Sequence, residues 1–125
     1  MMKLMTLKKN IAIILFITPF IYCVKPATAN PCEPSPISYQ EMFACSFFMY
    51  SQADTELNRV WKNLSESTRN KLRQEQRDWI KYRDEKCEQE TQENFDKNSR
   101  DYRLTFPTCQ AEETKKRTEY LRQFL

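Results

Sequence analysis

From Met42 onward the apolar residues Met42, Cys45, Met49, Ala53, Leu57, Val60 and Leu64 recur at intervals of three and four. At 3.6 residues per turn this spacing gathers them on one face, which predicts an amphipathic helix from about Tyr39 to about Leu64. Ser38 and Glu41 have the spacing of a capping box, and Ile37 and Met42 stand where a hydrophobic staple would bracket the same boundary. Phe43, Phe47, Phe48 and Tyr50 widen the apolar surface of the first half, so a later segment has to cover it.

The run "SESTRN" at 65–70 holds capping residues and no apolar anchor, which predicts a tight connection with the second helix starting inside it. Leu72, Gln76, Trp79, Arg83 and Cys87 then follow at helical spacing, and Trp79, Arg83 and Cys87 fall on its inner side. The pattern fades in the polar stretch from Glu88 to Arg103, which is expected to be irregular. Pro107 is expected to stop whatever precedes it, because it lacks an amide donor. Thr108 can then cap a last helix carrying Ala111, Thr114, Thr118, Leu121 and Leu125 on one stripe. The predicted fold is all-α: an antiparallel hairpin of two long helices, a C-terminal helix packed across it, and two disulfides.

The first 29 residues change the reading of charge. Lys3, Lys8 and Lys9 precede an apolar run from Ile11 to Cys23, and the small residues "ATA" follow at 27–29. This is the pattern of a secretory signal peptide, and its 13 apolar-run residues, broken by Pro19, fall short of the ~20 that span a bilayer. Cleavage is expected after Ala29, leaving a single domain at 30–125 that is periplasmic or secreted and not membrane-spanning. Lipid attachment at Cys23 is the weaker alternative, since "FIY" before it lacks small residues. The leader carries four of the 20 basic residues and no acid, so 16 remain against 17 acids and the mature charge is −1 rather than +3. The basicity therefore gives no support to nucleic-acid binding.

The chain has neither histidine nor glycine, which removes imidazole chemistry and glycine-dependent phosphate loops. Four cysteines, Cys32, Cys45, Cys87 and Cys109, remain after the leader, and an even number in a small exported domain reads as two disulfides. Their spacings of 12, 41 and 21 intervening residues contain no C-x-x-C element, which disfavours zinc. In an antiparallel hairpin turning near residue 66, Cys45 and Cys87 are equidistant from the turn, so 45–87 with 32–109 is the preferred pairing. The pairing 32–87 with 45–109 is the main alternative. The same register places Asp54 opposite Arg77 as an interhelical ion pair.

Asp54 with Glu56, or Asp78, Asp84 and Glu85, are the carboxylates an acid–base pair would need. Alternating charges on helices more often form a solvated face, and no cleft pattern surrounds these. No catalytic residue, metal or cofactor is expected, and the protein is not read as an enzyme. Trp61, Trp79 and Tyr82 have the chemistry to stack on sugar rings, but aromatics at helical spacing are more often core.

The segments "YQEMFAC", "ADTELNRVWKNL", "LRQEQRDWIKYRDEKC" and "KKRTEYL" together resemble the LprI-like lysozyme-inhibitor N-terminal domain family, over nearly all of residues 32–122. The run of Asp54, Leu57, Asn58, Gln76, Arg77, Trp79, Tyr82, Arg83, Asp84 and Cys87 carries the resemblance. It implies an exported bacterial envelope protein that binds and inhibits lysozyme or a related peptidoglycan hydrolase by occluding its cleft. A structural, adaptor or toxin-immunity protein is the competing class. Because lysozymes of the c type are strongly basic, the acidic run Glu88, Glu90, Glu93 and Asp96 is the candidate partner-binding segment.

Overall fold

Ser38 sets the first helix as its sequence requires. Its hydroxyl accepts the Glu41 amide at 3.2 Å, and the Glu41 carboxylate accepts the amides of Ser38 and Ile37, each at 3.0 Å. Ile37 is 91% exposed, so no staple forms and the capping box alone marks the boundary. The computed structural model describes residues 30–125, and the leader assigned to 1–29 lies outside the described residues. It contains three helices, α1 (Tyr39–Asn63), α2 (Glu66–Gln92) and α3 (Arg100–Arg122). Ser65 caps α2 by accepting the Thr68 amide, and Ser99 caps α3 by accepting that of Tyr102.

Two local expectations are corrected. The segment from Glu88 to Arg103 is not broadly irregular: α2 continues to Gln92, and only residues 93–99 separate it from α3. Pro107 does not end a segment but lies inside α3, with Thr108 in mid-helix donating its hydroxyl to the Leu104 carbonyl at 2.9 Å. A proline in a helix interior forfeits one backbone bond and costs about 3 kcal/mol. Here the loss is outweighed by packing, since Tyr102, Pro107, Gln110 and Ala111 are all buried on the same face.

The all-α fold is as expected, two long antiparallel helices and a C-terminal helix with two disulfides, and α3 is the element that joins the other two. α3 packs along α1 and against α2, whereas α1 and α2 make few direct contacts with each other. α3 runs parallel to α1, as Arg100 lies over the Tyr39 ring and Arg122 pairs with Glu56. It runs antiparallel to α2, as Lys86 pairs with Glu113 and Glu75 with Arg117. The main core gathers Leu57, Val60, Leu64, Leu72 and Leu121, with Trp61, Trp79 and Tyr120 packed on it. The small, buried Ala111, Thr114 and Thr118 of α3, with Ser46 and Ala53 of α1, line the closely packed surfaces.

This arrangement overturns the preferred disulfide map. The bonds are Cys32–Cys45 and Cys87–Cys109, with Cα separations of 4.8 and 5.7 Å. The equidistance that suggested 45–87 requires the backbones of α1 and α2 to approach closely, and they do so far less than those of α3 with either helix. Cys87 instead faces α3, its antiparallel neighbour, and Cys45 is reached by the lead-in folding back over the start of α1. The Asp54–Arg77 ion pair does not form either: the two line the same groove, but Asp54 accepts the Asn58 carboxamide at 3.0 Å, and no ion pair joins it to Arg77 among the described residues. No helix among the described residues is long and apolar enough to cross a membrane.

Candidate functional site

Two arginines fasten α2 to α3 through the motif residues. Arg83 is only 5% exposed; it donates to Asp84 at 2.8 Å and to the Thr114 hydroxyl at 3.3 Å, and Asp84 also accepts the Gln110 carboxamide at 2.8 Å. Arg117 donates to Gln76 at 2.8 Å and to Glu75 at 2.7 Å. Its remaining buried nitrogen has no hydrogen-bond partner, but the guanidinium lies 4.6 Å from the Tyr120 ring centre and 5.6 Å from that of Trp79. Arg83 stacks on Trp79 as well, at 5.3 Å, and on Tyr50 at 5.4 Å. Trp79 thus serves two cations whose ring contacts replace part of their lost hydration. Burial pushes the Tyr50 phenol up, against the opposing charge of Arg83.

Gln76, Trp79, Arg83, Asp84 and Cys87 therefore have structural work, while Tyr82 stands 55% exposed beside them. The rest of the motif opens onto a different feature. Because α1 and α2 stay apart, a groove of about 440 Å³ lies between them. Asp54, Leu57, Asn58 and Trp61 form its α1 side, and Arg73, Gln76, Arg77, Ile80 and Arg83 its α2 side. Asp54 and Arg77 face each other here as their register predicts, and Trp61, Arg73 and Ile80, which no sequence motif groups with them, complete the lining. Their positions at steps of three and four along each helix were the available signal.

The acidic candidates lie at the far end of α2 and in the loop after it. Glu88 pairs with Lys97, Glu90 with Lys86 at 3.3 Å, Glu93 accepts from Gln89, and Asp96 accepts the Asn98 amide. Hydrogen bonding from Lys97 holds the Glu88 carboxyl below its ordinary value. Glu85, Glu88, Gln89, Gln92 and Glu93 border a shallow depression on this face. The four acids are thus brought onto one end of the molecule, with two lysines tempering them.

Several other carboxylates are committed to ion pairs or to a helix cap. Glu56 is held at about 2, chiefly by hydrogen bonds from Arg59 and Arg122, and Glu113 is lowered chiefly by Lys116, with Lys86 adding to it against the opposing effect of burial. Glu41 is lowered by the amides of its capping box. A folded-state value below the unfolded one means stability that is fully present above the unfolded value of 4.5 and is lost as pH falls through the folded one. The melting temperature should therefore hold from about pH 7 to about pH 5 and fall progressively toward pH 2. Scanning calorimetry across that range checks this, and a flat profile down to about pH 2.5 would remove these pairs from the account of stability.

A second concavity, of about 320 Å³, lies between α1 and α3 and is lined by Phe43, Phe47, Tyr50, Tyr102, Phe106 and Pro107. Phe47 is 59% exposed, so α3 covers the aromatic half of α1 only in part. The four cysteines among the described residues are spent in disulfides, and no group of three or more potential metal ligands occurs among those residues. No curated protein matches the chain, and no solved structure does. The model of the lysozyme inhibitor LprI family matches residues 32–121, and with nearly the whole helical unit inside that match the chain belongs to the LprI family.

Proposed function

We propose that this chain is an exported inhibitor of a lysozyme-type peptidoglycan hydrolase, and that it occludes the enzyme's cleft with the acidic end of α2 and the loop that follows. The observation that carries the reading is the family match across residues 32–121. The supporting geometry is the placement of Glu88 and Glu93 beside one shallow depression at the end of α2, with Glu90 on the same last turns and Asp96 in the loop that follows. Glycosidases of this class work with two carboxylates in a cleft, and basic members are drawn to an acidic surface before contact. Cys87–Cys109 lies next to the acidic run and restrains it, which lowers the ordering cost of binding.

A turbidity assay with a basic lysozyme and a dose series of the purified chain tests the proposal. Inhibition should be dose-dependent and should weaken as salt rises past the point where the screening length drops below about 10 Å. Replacing Glu88, Glu90, Glu93 and Asp96 together by lysine should abolish it. No inhibition by the native chain at large excess would refute the function; inhibition that survives the reversal would refute this face as the docking surface.

A further inference from the structure

We infer that the groove between α1 and α2 is a binding site for an acidic saccharide, a sugar ring that carries a carboxylate. Its volume of about 440 Å³ lies within the range of small-molecule sites, roughly 300–1,000 Å³. Arg73 and Arg77 stand on one side; both are exposed, and among the described residues neither has a carboxylate partner. Arg73 donates only to the Asn70 side chain. Two guanidinium groups one helical turn apart suit a carboxylate, which each can bind through a pair of parallel donors.

The rest of the lining calls for more than an anion. The Asn58 carboxamide donates to the Asp54 carboxylate at 3.0 Å, which leaves the Asn58 oxygen and the second Asp54 oxygen as acceptors. Gln76 has its oxygen occupied by Arg117 at 2.8 Å, so its nitrogen is left to donate. Trp61, half-buried, and Ile80 supply flat apolar surface in the same cavity. An isolated acidic side chain would face Asp54 without satisfying it. A sugar brings hydroxyl donors for Asp54 and Asn58, a C–H face for the indole, and its carboxylate for the arginines.

Gln76 and Trp61 also serve the fold, through Arg117 and the main core, but Asn58, Arg73 and Arg77 are left free of it. Asn58 and Arg77 are exposed, and the backbones of α1 and α2 stay apart along the groove while α3 packs against both helices. This site is separate from the acidic end of α2, and its occupancy does not depend on whether the chain inhibits a hydrolase.

The test is a nitrogen–proton correlation NMR titration of the purified chain. N-acetylmuramic acid and glucuronate are the acidic probes, N-acetylglucosamine and glucose the neutral ones, and N-acetylglutamate the carboxylate without a ring. The acidic sugars should give saturable shifts confined to the amides of 54–61 and 73–80, with the neutral sugars and N-acetylglutamate binding at least about tenfold more weakly. Arg73→Gln with Arg77→Gln, both on the surface, should remove that preference while the rest of the spectrum stays in place. Absence of saturable shifts, equal binding of neutral sugars, or no effect of the arginine changes each overturns the proposal. N-acetylglutamate binding as well as the acidic sugars would show a carboxylate site without saccharide recognition and overturns it too.

Discussion

Replacing Cys87 and Cys109 together by serine should lower the melting temperature on the order of 15 °C. The bond closes a loop with a sequence separation of 22, for which the chain-entropy account gives about 3 kcal/mol. In a domain of this size each kcal/mol moves the midpoint by about 4–8 °C. Cys87 is fully buried, so serine also places a hydroxyl where no polar partner was needed. The native pairing has its own check in a tryptic map under non-reducing conditions. Residues 87–97 should be found joined to residues 104–115, while Cys32 and Cys45 stay within one peptide because no lysine or arginine separates them. A species joining the Cys45 peptide to the Cys87 peptide would show that the α1–α2 register, not the α2–α3 register, governs the bonds.

Leu121→Ala should cost about 2–5 kcal/mol, a large share of the 5–15 kcal/mol that such domains possess. Leu121 is 0% exposed and meets Leu57, Val60, Leu64 and Leu72, so its removal leaves a cavity where all three helices converge. Urea unfolding should show a lower midpoint with an unchanged slope. Phe124→Ala, three residues on and 42% exposed, should stay within about 0.5 kcal/mol of the native chain. Equal effects of the two substitutions would mean that the core does not centre on Leu121.

Much of the molecule is legible locally. Ser38 with Glu41 and Ser65 with its amide partner place the starts of α1 and α2 where their side chains imply, because capping is settled within one turn of chain. Arg83, Trp79 and Cys87 fall on the inner side of α2 as their spacing predicts. Pro107 was misread because a local rule about one missing donor competes with burial along the whole of α3, and burial wins.

The equidistance rule holds at both turns, as Tyr50 against Arg83 shows for the first, but the close backbone approach is at the second. Cys87 with Cys109, Asp84 with Gln110, Arg83 with Thr114 and Gln76 with Arg117 are all nearly equidistant from about residue 98, in the loop between α2 and α3. That series of complementary polar pairs was present in the sequence, but nothing local ranked it above the pairs centred on residue 66. The facing sides of α1 and α2 carry Asp54, Asn58, Arg73 and Arg77, whose desolvation together would be costly. α3 instead offers Ala111, Thr114 and Thr118, small enough for close approach.

The sequence by itself determined three helices, the caps of the first two, most of the buried positions and the membership of a family. Only the tertiary structure decided which helix covers which face, and with it the disulfide partners and the open groove. The reason is that helical periodicity specifies an apolar face, whereas hydrophobic burial is non-directional and accepts any complementary face that can be brought against it.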